Sequence, residues 1–130
     1  MARQAKILIV DDDPVFVDAT RAVLESKNYL VSAAFDGDEG LQKVRDEKPD
    51  LIILDIIMPT EDGFTVCERL KSDPELSKIP VLVMTSFASK KQETGIPVSA
   101  GLTLEAEDYI DKPASPDELL RRVKRMCKGE

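Results

Sequence analysis

The chain has 130 residues and a net charge of −7, with 42% hydrophobic and 33% charged residues. This length and balance predict one domain, residues 1–130, able to bury a core without disulfides. The acidic charge argues against direct nucleic-acid binding, which needs a basic surface. No apolar run approaches the roughly 20 residues of a membrane helix, so membrane insertion is not expected.

Other site chemistries are limited by composition as well. The chain contains no His, and its two Cys residues lie far apart, which removes most zinc sites and nucleophilic triads. The basic N-terminus leads into an apolar run that Asp11 ends too early for a signal peptide. We therefore predict a cytoplasmic protein, with free thiols favoured over a disulfide.

Short apolar runs alternate with amphipathic stretches in the first half of the chain. Residues 7–10 predict a buried strand, and Asp13-Pro14 predict the N-cap of a helix that runs to about Lys27. Residues 29–34 predict a second strand. A second helix follows Asp36 and ends before Pro49. The inward positions predicted on the two helices are Phe16, Ala19, Val23, Leu24, Leu41 and Val44.

The same alternation continues in the second half. Residues 51–54, 81–84 and 108–111 predict the third, fourth and fifth strands. A third helix carries Phe64, Cys67 and Leu70, whereas Gly95-Ile96-Pro97 interrupts residues 87–106 and predicts a short or irregular fourth helix. Ser115 begins a capping box. The last helix is predicted to bury Leu119, Leu120, Val123 and Met126.

Five strand-then-helix units predict an α/β fold: a doubly wound, five-stranded parallel sheet with helices on both faces. Ligands of such sheets bind at the carboxyl ends of the strands. Polar residues collect at those ends. The predicted set is Asp11, Asp12 and Asp13 after the first strand, Asp55 after the third, Thr85 and Ser86 after the fourth, and Asp111-Lys112 after the fifth.

This set predicts a particular chemistry. Neighbouring carboxylates repel each other, and a divalent cation such as Mg²⁺, with Mn²⁺ as an alternative, relieves the repulsion. Lys112 adds a positive charge and Thr85 a hydroxyl donor, both suited to a phosphoryl group. An Asp beside these groups can act as a nucleophile and form an aspartyl phosphate.

Four segments together resemble a known family. ILIVDDDP, LIILDIIMPTEDG, VLVMTS and YIDKP are similar to the receiver domain of bacterial response regulators, over about residues 5–127. The resemblance implies a flavodoxin-like fold with strand order 2-1-3-4-5. It also implies that Asp55 is the phosphoacceptor of a two-component phosphorelay. The phosphodonor would be a sensor histidine kinase or a histidine phosphotransfer protein.

The resemblance also implies roles for individual residues. Matched by position, Asp12, Asp55 and the backbone carbonyl of Ile57 would bind Mg²⁺, and Asp11 would act through a water molecule. Thr85 and Lys112 would contact the phosphoryl group. Tyr109 would be the aromatic that moves with Thr85, and Lys112-Pro113 would be a candidate cis peptide. Phosphorylation would then change the surface of the fourth helix, fifth strand and fifth helix, where a partner binds.

Simpler structural roles are the alternative for several of these residues. Asp13 precedes Pro14 and is best explained as an N-cap. A hydroxyl such as that of Thr85 often ends a strand by capping the following helix, and Tyr109 suits a half-buried strand position. With Asp55 and Lys112 in register, the functional interpretation of Asp11 and Asp12 is favoured.

The sequence departs from the family pattern in two places. The segment from Thr85 to Lys112 is longer than the family's usual length, which puts the family's partner surface in question. Positions two after Asp55 and two after Thr85 carry Ile57 and Phe87. Neither side chain can orient an attacking water, so both predict a long-lived phosphorylated state.

Two other functions remain as alternatives. A small Mg²⁺-dependent phosphohydrolase with an aspartyl nucleophile commonly has a second acid two residues later, where this chain has Ile57. A degenerate receiver would bind proteins without being phosphorylated. The favoured prediction is a domain that catalyses only its own phosphorylation and dephosphorylation and carries no output domain. It would be either a stand-alone regulator or part of a longer protein.

Overall fold

The computed structural model describes residues 4–55, 63–85, 108–111 and 115–128. Within them the chain forms strands β1 to β5, helices α1 to α3, a 3₁₀ turn and a C-terminal helix. The elements are β1 Lys6–Val10, α1 Pro14–Glu25, β2 Leu30–Ala34, α2 Gly37–Glu47, β3 Leu51–Leu54, α3 Gly63–Ser72, the 3₁₀ turn Leu76–Lys78, β4 Val81–Thr85, β5 Asp108–Asp111 and the C-terminal helix Pro116–Lys128.

All five strands form one parallel sheet in the order β2-β1-β3-β4-β5. The predicted strand order 2-1-3-4-5 is therefore confirmed. Ile7 pairs with both Val31 and Leu51, which places β1 between β2 and β3. The chain leaves β1 towards β2 and then returns past it to β3, so the strand order reverses between β1 and β3. A crevice forms at the carboxyl ends of strands at such a switch point.

The apolar runs of β1 and β3 are buried on both faces, as parallel strands between helix layers require. Ile7 and Ile9 face one layer, while Leu8 and Val10 face the other. The first layer contains α1 and the C-terminal helix, and the second contains α2 and α3. Their buried contacts to the sheet come from Val17, Leu24, Leu119 and Val123 in the first layer and from Leu41, Val44, Val66 and Leu70 in the second.

Helix α1 differs from its prediction at its end and on one face. It ends at Glu25, short of Lys27, because residues 26–28 form a turn in which Asn28 has a φ of 69°. The helix buries Val17, Thr20 and Leu24, while Phe16 and Val23 are only partly buried. The prediction that Ala19 faces inward was wrong, since Ala19 is exposed.

The C-terminal helix follows its predicted pattern. Leu119 and Val123 are buried, and Leu120 and Met126 pack partly buried against the same layer. Ser115 caps the helix, since its Oγ accepts a hydrogen bond of 3.1 Å from the Glu118 N–H. Among the described residues the Glu118 carboxylate accepts from Arg121 and Arg122, so the reciprocal half of the capping box is replaced by ion pairs.

The first layer also contains two titratable side chains at the amino ends of the strands. Tyr29 and Cys127 both pack partly buried against it, and Cys127 forms no disulfide bond within the described residues. Burial raises the pKa of Tyr29, and the charge that Cys127 acquires on ionisation raises it further. The residues predicted to form an irregular fourth helix, 87–106, lie outside the described part of the chain. No helix within the described ranges has the length and apolarity to cross a bilayer.

Helix α2 packs closely against β1. It begins after Asp36, which caps it, and ends at Glu47, because the next residue, Lys48, has a φ of 48° that stops the helix. Leu41 and Val44 are buried, as predicted. A Cβ added at Gly40 would lie 3.0 Å from both γ carbons of Val10 on β1. The bare backbone of Gly40 therefore sets the distance between α2 and the strand that leads into Asp11.

Replacing Gly40 by Ala tests this close approach. Ala is favoured over Gly in a helix by about 1 kcal/mol, but overpacking a rigid core costs roughly 1–3 kcal/mol. Because Val10 is buried in a central strand and cannot move aside, we expect Gly40→Ala to lower the free energy of unfolding in urea by about 1–2 kcal/mol. In a Val10→Ala background the same change should be neutral or stabilising. A gain in both backgrounds would contradict the close contact.

Candidate functional site

The ends of β1 and β3 place two acids side by side. Asp11 follows β1 and Asp55 follows β3, and each backbone N–H continues the hydrogen bonding of its strand. The N–H of Asp11 donates to Ala34 O at 3.0 Å, and the N–H of Asp55 donates to Val10 O at 3.0 Å. The sheet therefore fixes the backbone of both residues before their side chains make any contact.

The side chains of these acids converge, and Asp12 joins them. One carboxylate oxygen from each of Asp11, Asp12 and Asp55 lies within 4.8 Å of the other two. Asp11 and Asp55 are each only 1% exposed, whereas Asp12 is partly exposed. The prediction that the two strand ends bring their acids together is confirmed by this geometry.

The neighbouring Asp13 has a different role. Its Oδ1 accepts hydrogen bonds from the N–H groups of Val15 at 3.0 Å and Phe16 at 3.3 Å, as an N-cap does. Its own N–H donates to Asp11 Oδ1 at 3.0 Å. The capping role predicted for Asp13 is confirmed. Asp11 uses one of its oxygens to hold the loop, so the cluster and the start of α1 are built as one unit.

The electrostatics of the cluster favour a cation. Two unit negative charges at the outer limit of this separation repel by on the order of 3 kcal/mol at an effective dielectric of 20. Burial of Asp11 and Asp55 limits the relief that water can give. Three converging carboxylates, one of them open to solvent, are the hard oxygen donors that Mg²⁺ and Mn²⁺ prefer. The residues present therefore fit a small divalent cation.

A further acid supports the site from the side and was not singled out from the sequence. Glu39, in the first turn of α2, accepts a hydrogen bond of 2.9 Å from the N–H of Phe35. Asp36 accepts one of 2.8 Å from the N–H of Glu39. Together they fix the loop after Ala34, whose carbonyl holds Asp11. The Asp-x-x-Glu spacing of a capping box was the available signal.

The other predicted site residues are placed by backbone alone or lie outside the described residues. Thr85 ends β4 and pairs with Asp111, and Tyr109 pairs with Val83 on the same strand. Both residues thus lie in the half of the sheet beyond β3. Ile57, Lys112 and the Lys112-Pro113 peptide fall outside the described ranges. Their predicted roles remain predictions.

Comparison with known proteins gives the family. The profile of the response regulator receiver domain matches residues 7–124. The chain is 42% identical to the alkaline phosphatase synthesis transcriptional regulatory protein PhoP of Bacillus subtilis over 95% of its length, and covers 48% of that protein. It is 38% identical to the DNA-binding dual master transcriptional regulator RpaA of Synechocystis sp., again over 95% of the chain and 49% of that protein.

A solved structure agrees. The crystal structure of a putative response regulator from Chloroflexus aurantiacus superimposes with a TM-score of 0.84 at 33% identity, covering 97% of this chain and 99% of that one. The chain belongs to the response regulator receiver domain family. It is a two-component signalling domain with a flavodoxin-like fold, as predicted, and the phosphohydrolase alternative is not favoured. The chain spans about half the length of the curated relatives.

Neutralising one acid tests the cluster as a cation site. Asp12→Asn keeps the side-chain shape but removes one charge, so without Mg²⁺ we expect unfolding to require on the order of 1 kcal/mol more, a value reduced for the partial exposure of Asp12. Added Mg²⁺ should raise the melting temperature of the original chain by mass action and that of the variant much less. Calorimetry with and without Mg²⁺ measures both effects.

The exposed Asp18 on α1 supplies the control. Asp18→Asn makes the same charge change outside the cluster and should leave the Mg²⁺ response intact. Equal Mg²⁺ responses of the Asp12 and Asp18 variants would show that the cluster does not bind the ion.

Proposed function

We propose that this receiver domain is a switch controlled by phosphorylation of Asp55. The observation that carries the proposal is the convergence of Asp55 with Asp11 and Asp12 at the point where the strand order reverses. The family supplies the reaction class, and the cluster supplies a carboxylate nucleophile beside a site suited to a divalent cation.

The choice of Asp55 among the four acids follows from the duties of the others. Asp13 caps α1, and Asp11 accepts a hydrogen bond from the N–H of Asp13. Both side chains therefore stabilise the loop after β1. Asp12 is the partly exposed member, suited to binding a metal that arrives from solvent. Asp55 is carried alone at the end of β3 and matches the family's phosphoacceptor position. The buried carboxylate is thereby held in one place for an incoming phosphorus atom.

The transfer step is a substitution at phosphorus. An oxygen of Asp55 attacks the phosphoryl group of a donor phosphohistidine, the P–N bond breaks, and an acyl phosphate and a free histidine result. Mg²⁺ would be held by Asp12, Asp55 and the carbonyl of Ile57, with Asp11 acting through water. Once bound it supplies positive charge that offsets the charge of the phosphoryl oxygens.

The response of the domain would begin at the other strand ends. The phosphoryl group adds up to about two negative charges at neutral pH. In the proposal Thr85 donates a hydrogen bond to it, Lys112 pairs with it, and Tyr109 moves with Thr85. The surface formed by the fourth helix, fifth strand and fifth helix then changes its fit for a partner. The domain turns over no outside substrate.

The family suggests the partners. A sensor histidine kinase or a histidine phosphotransfer protein would supply the phosphoryl group, and a protein target would read the changed surface. We take residues 1–130 as one receiver domain. RpaA is named as a DNA-binding regulator, and this chain covers only 49% of it. We therefore propose no direct contact between these 130 residues and nucleic acid. We place the domain in the reducing cytoplasm, which suits a Cys127 that forms no disulfide bond within the described residues.

Intact mass after incubation with a small phosphodonor tests the proposal. With Mg²⁺ present we expect a gain of one phosphoryl group, lost again in base because an acyl phosphate hydrolyses readily. Asp55→Ala should show no gain, since it lacks the nucleophile, whereas Asp18→Asn should gain the group normally. Absence of any gain with Mg²⁺ would instead favour a degenerate, protein-binding receiver.

The apolar side chain of Ile57 leads us to expect a long lifetime for the phosphorylated state. An apolar side chain at this position cannot orient water, so the acyl phosphate should persist. We expect Ile57→Asn to speed phosphate loss roughly tenfold, a change of about 1.4 kcal/mol in the barrier, as one added water-positioning group allows. Loss is followed by mass after removing the phosphodonor, with Ile57→Val as the matched apolar control. Unchanged or slower loss in Ile57→Asn would contradict the shielding role.

A further inference from the structure

Strand β2 is an outer strand of the sheet, and no strand in the described part of the chain pairs with its outer edge. The N–H of Leu30 donates to Ala5 O at 2.9 Å, and the carbonyl of Ala34 accepts from Asp11 at 3.0 Å, so these residues turn their backbone groups towards β1. Successive residues of a strand alternate in this respect. The backbone groups of Val31 and Ala33 therefore point to the open edge. Unpaired groups on such an edge can pair with a strand of another molecule.

Two cationic side chains cover these carbonyls. Arg21 Nη2 donates to Val31 O at 3.2 Å, and Lys43 Nζ donates to Ala33 O at 2.5 Å. Arg21 belongs to α1 and Lys43 to α2, which pack on opposite faces of the sheet. The two outward carbonyls of the edge are thus covered from both sides of the sheet.

Each cation is held in place from its own helix. Arg21 Nε lies 3.8 Å from Glu25 Oε2, and Lys43 Nζ lies 3.5 Å from Glu39 Oε2, in both cases one helical turn away. Arg21 Nε is buried and has no hydrogen-bond partner among the described residues. One donor of the guanidinium is thus left unsatisfied in this position, which costs free energy.

The ends of β2 carry apolar side chains that a pairing strand would cover. Leu30 is 49% exposed and Phe35 is 44% exposed, and they flank the strand at its two ends. In a two-fold antiparallel pairing centred on Ser32, Val31 of one copy would face Ala33 of the other. Leu30 of one copy would then lie opposite Ala34 of its mate. The outward backbone groups of the edge are therefore self-complementary.

We propose that Arg21 and Lys43 close the β2 edge against pairing with a second copy of this chain. The occupant that the edge would accept is the same edge of a second molecule, and the two cations remove the carbonyl acceptors it needs. Charged side chains, lysine above all, are a general means of blocking edge pairing. The proposal uses no residue of the acid cluster, so it stands or falls independently of phosphorylation.

The test removes both donors while keeping apolar stems at the edge. We expect the double variant Arg21→Leu, Lys43→Met to form a dimer whose population rises with protein concentration in sedimentation velocity. Hydrogen exchange at the amides of Val31 and Ala33 should slow by roughly tenfold or more on dimerisation, because each becomes hydrogen-bonded to the other copy. The original chain should stay monomeric under the same conditions.

Two controls separate edge pairing from a general loss of charge. Lys27 and Arg45 are exposed, and Lys27→Met with Arg45→Leu removes the same charge away from the β2 carbonyls, so this variant should stay monomeric. Val31→Pro added to the edge variant removes an outward N–H without costing a bond to β1, and should restore the monomer.

Several results would overturn the proposal. A folded edge variant that stays monomeric would do so, as would a dimer that survives Val31→Pro or leaves the two amides unprotected. If the double variant does not fold, Lys43→Met alone opens the Ala33 carbonyl with a smaller perturbation. That single variant must then associate more strongly than the original chain. If it does not, the proposal that Lys43 blocks pairing at the β2 edge is rejected.

Discussion

The arrangement of the site depends on one constraint: like charges are held together at the ends of two buried strands. The carboxylates of Asp11, Asp12 and Asp55 converge although they repel each other. They do so because β1 and β3 are paired side by side, and this pairing fixes the positions of the residues that follow the two strands. A repulsion on the order of 3 kcal/mol per pair is small beside the free energy that the two strands gain by burying apolar side chains on both faces. The core can therefore stabilise a site that is electrostatically unfavourable without a cation.

Local hydrogen bonds turn this constraint into a defined geometry. The N–H of Asp13 binds Asp11, the carbonyl of Ala34 binds the N–H of Asp11, and Glu39 fixes the loop that follows Ala34. The close contact of Gly40 with β1 keeps α2 near this loop. Strand end, helix start and neighbouring loop thus support the same acid, and short, direct contacts connect α2 to the site.

Much of this could be predicted from the sequence because it follows from pattern and topology. The bounds of β3 and β5 match the predicted runs, and the convergence of Asp11 and Asp55 follows once a parallel sheet is inferred. The error on the buried face of α1 has a clear cause. Ala19 was assigned to the buried face and Thr20 was not, because hydropathy ranks the methyl side chain above the hydroxyl. Packing against the sheet depends on angle around the helix, which hydropathy alone does not fix.

The tertiary contacts of charged side chains could not be predicted from the sequence for a related reason. Nothing in the spacing of Arg21 and Lys43 shows that both reach the same strand, because that depends on β2 being an outer strand with helices on both faces. The strand order follows from the family resemblance, but the reach of each long side chain requires coordinates. The same fold that exposes one edge of the sheet at β2 also brings two helices to that edge. The fold therefore leaves an edge that could pair with another strand, and it also places charged side chains where they can cover that edge.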